Sequence, residues 1–379
     1  MTAQAKPYTC AFPDAAIADL HARIDATRWP EAETVDDWSQ GVPIAVLKDV
    51  VATWRHDYDW RAAEAWLNAQ GLSEVTVDGL AIRFVHVRSP HAGARPLILT
   101  HGWPGSVFEF RGVIDALTRP EDPAEAFHCV IPCLPGYGLS QKPAAKGWGV
   151  ERIARAWGEL MAALGYDRWY AQGGDWGAAV TTQIARLNLP GCAGVHLNMP
   201  IGRPLPEDLA NPAPDELRAL AALQHYREWD SGYSTQQRTR PQTLGYALVD
   251  SPVGLAAWIW EKMWAWTDNT GLPESAIDRT AMLDNLTFYW LTASGASSAR
   301  LYWESFGSFA PAEITMPVAC SAFPKEILPA PRKWVERHCT NLVHWGEMER
   351  GGHFAAWEQP ELFVAELRTA FAAMDALLA

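Results

Sequence analysis

The 379-residue chain contains no run of about 18 apolar residues, so its sequence predicts no membrane-spanning helix. It also lacks a basic stripe, and its net charge of −13 disfavours binding to nucleic acid or to an anionic membrane. The N-terminal residues lack the charged-then-apolar pattern of an export signal. We therefore expect a cytoplasmic protein without a membrane anchor. A homo-oligomer is compatible with the sequence.

Cysteine is scarce and scattered, with six residues in the chain. Cys129 and Cys133 bracket one predicted strand, and the second pair that a zinc site requires is missing. This spacing favours reduced thiols over disulfides or metal ligands. We expect no metal and no cofactor.

Hydrophobic residues and tryptophan are plentiful. Hydrophobic residues make up 49% of the chain, and 20 residues are tryptophan. A chain of this length can bury a large core, as two domains or as one α/β unit with insertions. The tryptophans predict both a large aromatic core and an aromatic-lined pocket.

The pattern of apolar residues predicts an α/β fold. Residues 1–72 are predicted to be helical, with helices opening at Pro13 and Pro43, and the pattern is compatible with a separate helical domain or with a meander packed on the main body. Strands begin at about residue 74, and Asp78-Gly79 predicts a hairpin. From there, buried strands alternate with helices at 106–117, 150–164 and 178–187, which is typical of a mostly parallel, doubly wound sheet.

A helical cap interrupts this alternation. Residues 199–307 begin with a proline-rich stretch and continue as helices rich in tryptophan and tyrosine. The alternation resumes at Met316, and the last helix runs from about Pro360 to Leu378. We therefore divide the chain into the meander (1–72), the first part of the core (73–198), the cap (199–307) and the second part of the core (308–379).

The sequence Gly-Gly-Asp-Trp-Gly at 173–177 lies between a predicted strand and a predicted helix. This is the context of the nucleophile elbow of α/β-hydrolases, a strained turn that needs small residues two positions before and after the nucleophile. Gly173 and Gly177 supply them. The elbow usually carries serine, whereas here it carries Asp175.

An aspartate at the elbow changes the chemistry that the site can perform. A carboxylate attacking acyl carbon makes an anhydride, but one attacking saturated carbon makes an ester that water can cleave. Asp175 therefore indicates a substrate with an electrophilic sp3 carbon and a leaving group, which is an epoxide or an alkyl halide.

Three further positions complete the predicted machinery. The turn at 101–105 follows a buried strand and can aim the N–H of Trp103, with that of Trp176, at an oxyanion. His353 follows the last strand in a glycine-rich loop and is the predicted base, whereas His101 braces its turn. Glu326 follows the preceding strand, where the carboxylate that orients the histidine is expected.

Opening an epoxide also requires an acid, because an alkoxide is a poor leaving group unless it is protonated. Tyrosine hydroxyls stay protonated at neutral pH and can serve. The cap offers five candidates, among which the residues alone do not choose: Tyr226, Tyr233, Tyr246, Tyr289 and Tyr302.

These motifs together resemble the microsomal-type epoxide hydrolases, which carry a helical meander before an α/β-hydrolase core. The matching segments span nearly the whole chain: 27–30, 58–61, 101–105, 135–140, 173–177, 250–257, 321–324 and 350–356. The resemblance implies that Asp175 is the nucleophile, His353 the base and Glu326 its partner. It also implies that Tyr233 and Tyr302 are the acids, acting on a small-molecule epoxide and water.

Membrane-bound members of that family carry an N-terminal hydrophobic anchor, and this sequence shows none. We therefore expect this chain to be a soluble, bacterial-type member. The aromatic-rich cap predicts a bulky apolar or aryl epoxide, either a xenobiotic in detoxification or an intermediate in secondary metabolism. The first alternative is a haloalkane dehalogenase, which shares the Asp-Trp elbow but needs halide-holding N–H groups. The second is a non-catalytic hydrolase-fold binding protein, in which a strained elbow would have no use.

Overall fold

Alternate residues of the central strands pack into two separate hydrophobic clusters, one on each face of a sheet. In the computed structural model, which describes residues 4–377, Ile98 packs into one cluster and its neighbours Leu97 and Leu99 into the other. Successive side chains of a strand point to opposite faces. The central strands are therefore buried on both faces, as their continuous apolar runs predict.

Within residues 4–377, nine strands form a single sheet in the order β1-β2-β3-β5-β4-β6-β7-β8-β9. The pairings among β1, β2, β3 and β5 are antiparallel, and those from β5 through β4 to β9 are parallel. The predicted mostly parallel sheet is confirmed. The strands are β1 (Lys6–Pro7), β2 (Ser73–Val77), β3 (Leu80–Val87), β4 (Arg95–Thr100), β5 (Phe127–Pro132), β6 (Trp169–Gly173), β7 (Cys192–Leu197), β8 (Val318–Ala322) and β9 (Leu342–Glu347).

Helices precede the sheet, separate its parallel strands and fill the connection between β7 and β8. Those outside that connection are α1 (Asp14–Asp25), α2 (Ile44–His56), α3 (Trp60–Ala69), α4 (Ile114–Thr118), α5 (Val150–Ala163), α6 (Asp175–Arg186), α14 (Arg332–Glu336), α15 (Ala355–Glu358) and α16 (Pro360–Ala376). The helices between β7 and β8, which we call the cap helices, are α7 (Pro206–Ala210), α8 (Pro214–His225), α9 (Gly232–Thr239), α10 (Pro241–Asp250), α11 (Pro252–Trp266), α12 (Arg279–Leu291) and α13 (Ser294–Ser305).

Several predicted elements are corrected. The helix expected at 106–117 is a short 3-10 turn, Val107–Phe110, followed by the separate helix α4. Helix α6 begins at Asp175 itself and not at Ala178. Strand β1, which was not predicted, pairs with β2 ahead of the meander helices. The predicted end of the last helix, Leu378, lies outside the described residues.

The N-terminal segment contacts the cap helices through two side-chain hydrogen bonds and one stacked pair of rings. Trp54 of α2 donates its indole N–H to Thr287 of α12 at 2.8 Å. Tyr58 donates its hydroxyl to Asp284, also of α12, at 2.8 Å. Trp38 stacks on Trp264 of α11 with ring centroids 4.6 Å apart. Helices α11 and α12 of the cap are thereby fixed to the N-terminal segment.

Candidate active site

Asp175 occupies a left-handed turn between β6 and α6, with φ of 48°. Two glycines make this turn sterically feasible. A Cβ on Gly173 would collide with the carbonyl of Gly177, and a Cβ on Gly177 would collide with the carbonyl of Thr100. Left-handed backbone is costly for an aspartate and persists only where the surroundings impose it. The segment 173–177 therefore has the conformation predicted for a nucleophile elbow.

One carboxylate oxygen of Asp175 is held by backbone. Its Oδ1 accepts a hydrogen bond from the N–H of Trp103 at 2.8 Å. Trp176 lies in the first turn of α6, where N–H groups have no intrahelical acceptor and an anion is stabilised. Gly102 permits this approach, because a Cβ there would overlap the Asp175 carboxylate. The two residues predicted for the oxyanion hole, Trp103 and Trp176, thus flank Asp175.

His353 joins the two predicted carboxylates. Its Nδ1 lies 2.9 Å from Oε1 of Glu326, which follows β8. Its Nε2 lies 3.5 Å from Oδ2 of Asp175, an ion-pair distance, but it has no hydrogen-bond partner in the described part of the chain. The structure therefore brings together all three residues of the predicted triad, with the imidazole fully enclosed.

Two opposing effects set the charge of His353. Burial lowers the pKa of the imidazole, but the charges of Glu326 and Asp175 and the hydrogen bond to Glu326 raise it, and the pKa lies well above its ordinary value. The surroundings of His353 in the free protein therefore favour the protonated imidazole. The charge on Asp175 is part of what keeps it protonated.

Tyr233 and Tyr302 face the nucleophile from the cap helices. Both are buried, their ring centroids lie 5.8 Å apart, and both rings contact the indole of Trp103. Burial and the nearby Asp175 raise the pKa of each hydroxyl well above its ordinary value. Both hydroxyls stay protonated at neutral pH, and that of Tyr302 has no hydrogen-bond partner in residues 4–377.

The other three candidate tyrosines have different surroundings. Tyr246 is 69% exposed at the surface. Tyr289 donates its hydroxyl to the carbonyl of Gly105 at 2.9 Å and so supports the turn at 101–105. The hydroxyl of Tyr226 lies 3.4 Å from that of Tyr233 and 3.0 Å from Ser234. Tyr226 thus lines the same large cavity as Tyr233, but its hydroxyl is bonded to Ser234.

A cavity of about 670 Å³ opens between the cap helices and the sheet. Asp175, Tyr233 and Tyr302 contribute polar groups to it. Most of the remaining wall is apolar or aromatic and includes Leu220, Leu223, Phe306, Phe309 and Trp334. Ligand sites commonly have this composition, an apolar wall with a few convergent polar groups.

Two ionisable residues near the site were missed. Lys262, in the tryptophan-rich helix α11, is buried against Asp230 at 2.6 Å and lies 4.7 Å from the ring centre of Tyr233. Glu109, four residues after Gly105, has its carboxyl beside the triad, and burial raises the pKa of that carboxyl to about 8. Asp175 adds to this rise, whereas His353 and the Gly102 backbone reduce it. A lone lysine in an apolar helix was the available signal for Lys262.

No group of three or more potential metal-ligating side chains occurs within residues 4–377. The six cysteines carry free thiols, and five of them are buried. No helix in the described range is long and apolar enough to cross a membrane.

Two family models match the chain. Residues 5–110 match "Epoxide hydrolase N terminus", and residues 95–243 match "alpha/beta hydrolase fold". The chain is 53% identical, over 96% of its length and 84% of the relative's, to a Stigmatella aurantiaca protein provisionally named an epoxide hydrolase. It is 36% identical to epoxide hydrolase 1 of Oryctolagus cuniculus, over 96% and 87% of the two chains. The crystal structure of juvenile hormone epoxide hydrolase from Bombyx mori superimposes with a TM-score of 0.90 at 28% identity, covering 100% and 96% of the chains.

The sheet, the elbow and these matches define an α/β-hydrolase with a helical cap, and the predicted fold class is confirmed. Within that class, the chain belongs to the epoxide hydrolase family. The family resemblance drawn from the motifs is confirmed as well.

Proposed function

We propose that the chain converts a bulky apolar or aryl epoxide and water to a vicinal diol through an ester on Asp175. The observation that carries the proposal is the arrangement around this carboxylate. Two buried, protonated tyrosines face it from the cap, and the His353–Glu326 pair approaches it from the core. Family membership supports an epoxide as the substrate.

In the first step, Oδ2 of Asp175 attacks one carbon of the epoxide and the carbon–oxygen bond of the ring breaks. Oδ1 stays with the N–H of Trp103, which fixes the plane of the carboxylate. Tyr233 and Tyr302 hold the ring oxygen by hydrogen bonds, and one of them gives it a proton. Positioned acids of this kind contribute roughly 10²–10⁴-fold to a rate.

In the second step, ester formation activates the base. Alkylation removes the negative charge of Asp175, which is one of the two charges that raise the pKa of His353. The pKa of the imidazole therefore falls, and His353 passes its proton, by way of solvent, to the tyrosinate that the first step left. The neutral imidazole can then accept a proton from water. Glu326 keeps the ring oriented through its bond to Nδ1. The base is thus available only after the ester exists.

The wall of the 670 Å³ cavity supports a bulky apolar or aryl substrate, because most of the residues that line it are aromatic or aliphatic. The proposal retains the division of the chain at residues 72, 198 and 307, which the succession of meander, sheet and cap helices supports. It also retains a cytoplasmic location, which six free thiols support.

One turnover in ¹⁸O-labelled water tests the ester. We expect the label in the Asp175 peptide and an unlabelled diol, because the attacking water leaves its oxygen on the carboxylate. Label confined to the diol would mean direct hydration and would overturn the proposal. Incubation with a bromoalkane and a free-halide assay tests the dehalogenase alternative, for which we expect no halide release.

A further inference from the structure

Asp175 separates two cavities. The large one is lined by Tyr233 and Tyr302, and a small one behind the nucleophile is lined by His353 and Glu109. Among the described residues, Asp175 is the one that lines both. The groups proposed for the two reaction steps thus lie on opposite sides of Asp175. The acids face the large cavity, and the base faces the small one.

The small cavity has the size and chemistry of a water site. It offers about 10 Å³ of room for the centre of a water molecule, roughly one water. Two polar atoms beside it, Nε2 of His353 and Oε1 of Gln172, are buried without a hydrogen-bond partner in the described chain. Buried polar groups without partners are costly, and a bound water is the usual way to satisfy them.

Glu109 completes this polar wall because residue 105 is a glycine. Glu109 belongs to the 3-10 turn Val107–Phe110, and its carboxyl folds back into the volume that a side chain at position 105 would fill. The turn therefore places the Glu109 carboxyl beside the triad, although Glu109 is not one of the three triad residues. The mechanism above gives this carboxyl no role.

We propose that Glu109 positions the hydrolytic water in the small cavity, an inference that rests on the proposed Asp175 ester. The water molecule donates one hydrogen to Nε2 of His353 and the other to the Glu109 carboxyl. These two hydrogen bonds turn the oxygen of the water towards Cγ of Asp175. A second acceptor matters because a water held at one hydrogen only is free to rotate away from the ester carbon.

The water oxygen bonds to Cγ of Asp175 as His353 takes its proton, and the bond from Cγ to the alkyl oxygen then breaks. The departing alkoxide takes the proton from His353 and leaves as the diol. Asp175 is left as a carboxylic acid, whose proton passes to His353, 3.5 Å away, and restores the starting charges of the site.

Single-turnover kinetics of Glu109 variants test this assignment, with ester formation and ester loss followed separately by rapid quench and intact mass. For Glu109→Met and Glu109→Ala we expect ester formation at the wild-type rate and ester hydrolysis slowed about 10- to 100-fold, the scale of a lost positioning contact. Glu109→Gln is the matched control, because its amide keeps an acceptor at the same place. We expect it to retain hydrolysis within about threefold of wild type.

Either apolar variant suffices if only one folds. Wild-type hydrolysis in a folded Met or Ala variant overturns the inference, as does an equal loss of both steps in all three variants, which would indicate a structural role. The His353→Gln variant separates this failure from that of the proposed function. If His353→Gln accumulates ester, the ester mechanism stands whatever Glu109 does. If it accumulates none, the proposed function fails first.

Discussion

The indole of Trp103 stacks on the phenol ring of Tyr233, with centroids 5.0 Å apart and planes 10° from parallel. The backbone N–H of the same tryptophan donates to Oδ1 of Asp175. One residue of the core thereby sets the separation between the nucleophile and a proposed acid of the cap. The packing of this ring therefore helps to fix the distance between Asp175 and Tyr233.

Tyr302→Phe and Tyr233→Phe test the proposed acids. Each change removes a proton donor and leaves the ring packing on Trp103 and Trp176 in place. We expect each variant to lower the rate of Asp175 alkylation about 10- to 100-fold, less than the full range for general acids because the second tyrosine remains. Stopped-flow tryptophan fluorescence in single turnovers measures this rate.

Tyr226→Phe is the matched control, because its hydroxyl lies beside Tyr233 and bonds to Ser234. We expect an alkylation rate within about threefold of wild type. An unchanged rate in Tyr302→Phe, or a larger loss in Tyr226→Phe than in Tyr233→Phe, contradicts the assignment of the acids.

Asp175→Asn tests the electrostatic control of the base. Removing the carboxylate charge removes one of the effects that raise the pKa of His353, whereas burial, which lowers it, remains. We expect the imidazole to lose its proton at a lower pH than in the wild type. NMR titration of ¹⁵N-labelled histidine measures this, and an equal or higher pKa in the variant rules the mechanism out.

The local parts of the site could be predicted from sequence, because short-range sterics determine them. A glycine on each side of Asp175 predicts the elbow, and Asp78-Gly79 predicts the hairpin, where both residues adopt positive φ. The break in the expected helix at 106–117 could not be predicted, because its apolar residues Val107 and Phe108 are drawn into the core.

Features that depend on distant partners were also missed. Strand β1 forms only because Lys6 pairs with Glu74, 68 positions along the chain. The place of Glu109 depends on the space left by Gly105 and on the approach of His353. No periodicity or spacing in the sequence encodes these contacts.

Gly177→Ala tests the sterics of the elbow. Alanine in a helix normally gains about 1 kcal/mol over glycine, but here the new methyl group would collide with the carbonyl of Thr100. We expect a net loss of about 1–3 kcal/mol in the free energy of unfolding and loss of diol formation. Gly307→Ala, where no atom lies within 4 Å of the added Cβ, should stay within about 0.5 kcal/mol of wild type. Denaturant unfolding of both variants gives the comparison.

Asp284 predicts a pH dependence of stability. Burial raises the pKa of this carboxyl from 3.8 to about 6, against the effects of Tyr58 and Arg111, which lower it. The folded state therefore binds a proton that the unfolded state has released, and the contribution of Asp284 to stability is present below pH 4 and lost as the pH rises through 6. Between these values we expect a loss of about 1–3 kcal/mol.

Asp284→Asn removes this ionisable group. The pH dependence that remains in the variant is the part caused by all other ionisable groups. The free energy of unfolding should fall between pH 4 and pH 7, and it should fall further in the wild type than in the variant. Equal differences in the two proteins would contradict the prediction.

The cap divides its tasks between its two sides. Residues that line the large cavity, such as Leu220, Leu223 and Tyr233, belong to α8 and α9. The polar contacts to the meander come from Thr287 and Asp284 of α12. Substitutions that reshape the pocket are thus physically remote from those that anchor the cap. Such a protein can diversify its substrate range in evolution or in directed selection while its anchorage stays intact.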